Sequence, residues 1–150
     1  MTGDRRMARS DTRELFKVFP RLRNSTFLEC SPKTPVYNCI GWAVGRSDLF
    51  IWPKGMFWPP LCPHEETVDA FKAAFRILGY EPCGDGQYEE GFNKIALYAQ
   101  EGKPKHAARQ LANGRWTSKL GQDVDIEHNL LDLEGPEYGQ VVMFFRRPAQ

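Results

Sequence analysis

Several features that would announce a function are missing from this sequence. No apolar run approaches the roughly 20 residues of a bilayer-crossing helix. The first residues carry charge with no apolar stretch behind them, so they do not read as a secretory signal peptide. The expected setting is therefore a reducing cytoplasm, where Cys30, Cys39, Cys62 and Cys83 stay free thiols; export by a non-standard route is the alternative. Lys+Arg 20 against Asp+Glu 19 leaves a net charge of +1, so no global field calls for nucleic acid or an anionic membrane. A basic segment from Arg5 to Arg23 could touch nucleic acid, but no nucleic-acid motif follows it. There is no glycine-rich phosphate loop and no Gly-x-Ser-x-Gly elbow. Cys62-Pro63-His64 resembles half of a metal site, yet no second Cys-x-x-Cys or His-x-x-His stands at zinc spacing. No metal, cofactor or membrane partner is expected.

What is present suits a globular chain: 41% hydrophobic residues and 26% charged ones allow one real core. No repeat or linker divides it. The expected organisation is a basic, partly flexible arm with a short helix over residues 1–24, then a single domain over 25–150. Asp11 offers an N-cap, and Leu15, Phe16 and Phe19 have the helical spacing of core contacts before Pro20 closes the turn. Residues 27–35 read as irregular and proline-limited. They deliver the chain to Tyr37-Asn38-Cys39-Ile40-Gly41-Trp42-Ala43-Val44-Gly45, a short helix with a cysteine in its first turn and a glycine stop. Residues 49–60 form an aromatic, proline-broken loop, either a cleft wall or a flap over the core.

Residues 65–78 show the clearest helix, with Val68, Phe71, Phe75 and Leu78 on one face and Gly79 just past the end. The period then changes. Strands are read at 94–99, 106–111, 115–120 and 140–145, with Asn113-Gly114 as a tight hairpin signal and Asp125 as the cap of a helix over 126–133. Helices followed by an antiparallel sheet make an α+β class.

The helix position of Cys39 favours thiolate, and a cysteine nucleophile needs a base within hydrogen-bond reach. If Asn113-Gly114 fills a two-residue loop, Gln110 pairs Thr117 and Ala108 pairs Lys119. His106, Ala108, Gln110, Thr117 and Lys119 then share one polar face, with Leu111 and Trp116 on the other. Such a face fits an active-site wall or a solvated surface equally well.

A cysteine opening a small-residue helix, followed by a sheet with His106-Ala107 at a strand start and Trp116-Thr117-Ser118-Lys119-Leu120-Gly121 on the next strand, resembles the papain-like cysteine hydrolases. It is most similar to their NlpC-type and CHAP-type amidases and peptidases. The stretches Tyr37–Ala43, His106–Leu111 and Trp116–Gly121 also look like an uncharacterised bacterial family. The resemblance implies a papain-like α+β domain with the cysteine helix packed on a C-terminal antiparallel sheet. It implies a hydrolase or acyltransferase acting on a peptide, a peptidoglycan stem or a side-chain amide, with a peptide or protein substrate, and an effector or toxin role by analogy. In that reading Cys39 attacks, His106 is the base, and Ser118, Thr117 or Lys119 stands at the orienting place, with the polar cluster Asp125, Glu127 and His128 as the other source of an orienter. Asn38, Trp42, Trp58, Gln110 and Lys119 would line the substrate site. On the NlpC-type alignment Lys94 stands where the base belongs and His106 falls at the orienting place. This supports the rival expectation, a catalytically inactive binding module in a toxin–antitoxin or phage-defence setting.

Overall fold

The computed structural model describes residues 15–31, 34–54, 57–120 and 124–149, the side chains of residues 24 and 29–31 excepted. The expectation of a flexible arm over residues 1–10 and of an Asp11 cap lies outside the described residues, as does the state of Cys30.

One seven-stranded antiparallel sheet runs through the molecule: β1 (Leu28–Ser31), β2 (Glu81–Cys83), β3 (Phe92–Gln100), β4 (Lys103–Gln110), β5 (Trp116–Lys119), β6 (Asp125–His128) and β7 (Gln140–Pro148). Its spatial order is β1-β6-β5-β4-β3-β7-β2. Helix is scarce: α1 (Cys39–Ala43), α2 (Val68–Ile77), a helical turn at 15–18 and two 3-10 turns, Pro20–Asn24 and Leu130–Leu133. The fold is predominantly β, which overturns the expected papain-like α+β arrangement of N-terminal helices on a C-terminal sheet. Two tetrapeptides account for much of the difference. Residues 28–31, expected to be irregular, pair with 125–128, expected to begin a helix. Neither is long enough to show a period alone, and each becomes a strand by satisfying the other's backbone.

Helix α1 forms where Asn38 accepts the Gly41 N–H at 3.1 Å and ends at Gly45, whose φ of 85° only glycine adopts without cost. Gly41 itself is required by packing, because a Cβ there would lie 2.2 Å from the Leu49 carbonyl oxygen. Thr67 caps α2 through the Ala70 N–H, and Ala70, Phe71, Ala74 and Phe75 form its buried face.

The sheet separates two layers. In the first, α1, α2 and the 49–62 loop pack Ile40, Ile51, Trp58, Phe71 and Phe75 against Ile95, Leu97, Ala107 and Phe145. In the second, Leu15, Phe19, Leu22, Leu133 and Tyr138 pack against Ala96, Tyr98, Ala108, Trp116 and Ile126. The segment ending at Asn24 thus contributes core side chains, as the spacing of Leu15 and Phe19 predicts.

Which residue faces which layer depends on the β4–β5 hairpin. Arg109 pairs with Thr117 and Gln110 with Trp116. Leu111 N–H bonds the Arg115 carbonyl, Gly114 N–H bonds that of Leu111, and Gly114 has φ 86°. This is a three-residue loop, a turn followed by a left-handed glycine, in place of the two-residue loop read from Asn113-Gly114. One residue of slip moves every side chain of one strand to the other face. His106, Ala108 and Gln110 therefore share a face with Trp116 and Ser118, whereas Thr117 and Lys119 join Ala107 and Arg109 on the opposite one.

Candidate functional site

The Cys39 thiol sits at the start of α1 in the first layer, against the backbone of Ala107 on β4. Backbone groups of Ala107, Ile40 and Cys39 itself and the Lys119 charge all favour thiolate. Burial outweighs them and pushes the thiol up to about 11. At neutral pH such a thiol is ionised in only about one molecule in ten thousand.

His106, expected at an exposed strand start, lies mid-strand and fully buried, on the opposite face of β4. Its ring stacks on Tyr138 at 4.0 Å and meets the edge of Tyr98 at 5.2 Å, both second-layer residues. Cys39 and His106 thus face different layers with the sheet between them, and the expected nucleophile–base contact does not form. Among the described residues neither His106 ring nitrogen has a hydrogen-bond partner, and burial holds its pKa well below the ordinary value.

The other expected site residues divide the same way. Ser118 orients a histidine, but it is His128: Ser118 Oγ lies 2.7 Å from His128 Nε2, and His128 Nδ1 lies 2.7 Å from the Asn129 carbonyl. A carbonyl only accepts, so Nδ1 carries the proton and Nε2 accepts from the serine hydroxyl. Both side chains are fully buried, and burial lowers His128 to about 4. Asp125 is neither an N-cap nor an orienter of His106. It lies on β6, facing the first layer, and accepts the Tyr37 hydroxyl at 2.8 Å.

Four of the five expected substrate residues are occupied structurally. Asn38 is a buried pin: besides capping α1 it accepts the Ile51 N–H at 2.9 Å and donates to the Ile51 carbonyl at 2.7 Å. Trp58 is buried and donates to the Pro63 carbonyl. Gln110 donates to the Gly86 carbonyl in the second layer. Lys119 is fully buried, 5.3 Å from the Tyr37 ring centroid. Trp42 is half-exposed, as Gln110 is; it donates to Thr117 Oγ1, stacks on Tyr37 and carries Arg109 over its ring. Lys94 is buried in an ion pair with Asp85 and Glu89, a structural role.

The Ser118–His128 pair escaped the sequence reading, although Trp116, Ser118, Ile126 and His128 alternate as two facing strands do. Reading 125–128 as a strand would have found it. No group of three His, Cys, Asp or Glu side chains able to hold a metal occurs among the described residues. No helix among them is long and apolar enough to cross a membrane.

The site is therefore a pair of sealed polar clusters on the two faces of a single antiparallel sheet. The chain belongs to the family described as Domain of unknown function (DUF7689), which it matches over residues 29–146. No curated protein and no solved structure matches it.

Proposed function

We propose that this chain is a non-catalytic protein-binding domain. The observation that carries the reading is the placement of Cys39 and His106 on opposite faces of the sheet, with the thiol buried and its pKa raised. A thiol acting on an amide needs a thiolate and a neighbouring base, and this geometry supplies neither.

The 49–64 loop is the best-equipped contact surface. Asn38 and the Trp58–Pro63 bond hold its backbone, and the Ile51–Phe57 bridge closes it. On that fixed frame Leu61 is 91% exposed and Phe57 46% exposed. Large apolar side chains held out rigidly lose little entropy on binding, which favours a protein partner over a small molecule.

Two measurements test the reading. Cys39 should alkylate more slowly than Cys83 from pH 6 to pH 8; faster labelling of Cys39 near pH 6 would restore the nucleophile. A photo-crosslinking residue at position 61 of the full chain should give a discrete adduct in extracts of its host. The same residue at the exposed Leu131 should give none. Equal adducts at both positions, or none at 61, would remove the loop as the contact.

A further inference from the structure

The second layer holds two fully buried histidines, and the segment 15–24 supplies three of its core side chains, Leu15, Phe19 and Leu22. Residues 15–24 lie on this layer without joining the sheet, so no ladder bond holds them. Phe19 packs on Tyr138 at 4.8 Å, and Tyr138 stacks on His106 at 4.0 Å, so one column of rings links the segment to the buried imidazole. Leu15 and Leu22 are buried in the same layer, and polar contacts add to them: Arg21 to Glu134 at 3.2 Å and to the Leu131 carbonyl, and, just beyond the segment, Ser25 to Asp132. The segment also precedes the region that defines the family, which begins at residue 29.

We propose that residues 15–24 are a strap that acid releases from the second layer, letting water reach His106 and His128 while the first layer stays folded. A buried imidazolium needs an acceptor or water. Facing His106 are Tyr98 from β3, Tyr138 from the loop before β7, and His128 from β6, whose charge would oppose its own. Around His128 stand Ser118 from β5, Asp132 from the second 3-10 turn, its neighbour Glu127, and Arg115. The two acids favour the charged form and Arg115 opposes it, but burial prevails. Arg21, the strap's own cation at this edge, is held by Glu134, and Lys17 and Arg23 are exposed.

Hydrogen–deuterium exchange of the full chain, corrected for the chemical rate, tests this at pH 7.5 and pH 5. An ordinary imidazole titrates near 6.5, so each histidine should enlarge the open population about thirtyfold by pH 5. Amides of residues 17–24 should gain that protection loss while those of β3 and α2 do not. H106F, which keeps a ring against Tyr138 and removes the titration, should shrink the acid response about thirtyfold. F19A, which breaks the ring column, should speed exchange of the strap alone at pH 7.5. Uniform acceleration across β3 and α2, in acid or in F19A, would overturn the proposal, as would a strap whose exchange ignores pH.

Discussion

The two layers flanking the sheet differ in the polar groups they bury. The first is a hydrocarbon and aromatic core in which Phe71 meets Trp52 at 5.2 Å, Trp58 at 5.0 Å and Phe75 at 6.5 Å. It also buries polar groups: Asn38 pins the Ile51 backbone, Asp125 accepts the Tyr37 hydroxyl, and Lys119 lies beside the Tyr37 ring. The second layer buries polar groups within the packing itself: two histidines, Ser118, and Tyr98, whose hydroxyl bonds the Leu130 carbonyl at 2.6 Å while burial pushes its pKa up. The second layer is stable only while its imidazoles stay neutral. The two buried histidines are what set the second face apart from the first.

That contrast can be broken most forcefully in the first layer. Phe71→Ala empties the centre of the aromatic cluster and should lower unfolding free energy by about 3–5 kcal/mol in urea denaturation. A loss below about 1 kcal/mol would mean that the first layer does not anchor the sheet. The second layer should answer to acid. Both histidines bind protons more weakly folded than unfolded, so their contribution is intact above about pH 6.5 and drains as pH falls. Each costs about 1.4 kcal/mol per pH unit below that point, and for His128 the loss levels off near its folded value of about 4, at a total of about 3 kcal/mol. Denaturant midpoints that stay flat from pH 7 to pH 5 would erase the distinction between the faces.

Smaller changes sharpen it. Asn38→Ala removes the α1 cap and leaves both Ile51 backbone groups without their partner, for about 2 kcal/mol by thermal or urea unfolding. Asn38→Asp keeps the cap oxygen but sets a second acceptor oxygen against the Ile51 carbonyl in a buried site, and should cost at least as much. Gly114→Ala forces a side chain into a left-handed position and should cost about 1 kcal/mol without disturbing either layer, because no atom lies within 4 Å of the added Cβ. A larger effect would show that the hairpin register itself has shifted.

Much of the architecture was legible because local signals were strong. The α2 face, the aromatic loop and the long apolar strands β3 and β7 all follow from spacing and composition over ten or so residues. The candidate site was less legible because it hung on one register. Asn113-Gly114 is compatible with a two- or a three-residue loop, and choosing the shorter one put His106 beside Thr117 and Lys119. The longer loop puts it beside Trp116 and Ser118 and turns it away from Cys39. Asp125 misled for a related reason: an acid before an apolar pair reads as a helix cap until β1 arrives to pair with it.

The chain by itself determined the elements that form from their own residues: a cysteine-led helical turn stopped by Gly45, a ten-residue amphipathic helix, a proline-broken aromatic loop and a hairpin at Asn113-Gly114. Only tertiary structure decided that the short segments at 28–31 and 125–128 are strands, since each is satisfied by hydrogen bonds to a partner nearly 100 residues away. Tertiary structure also decided which side of the sheet each polar residue faces. Sequence sets the alternation along a strand, but the register between strands is fixed by the loop that closes and the faces that must be buried.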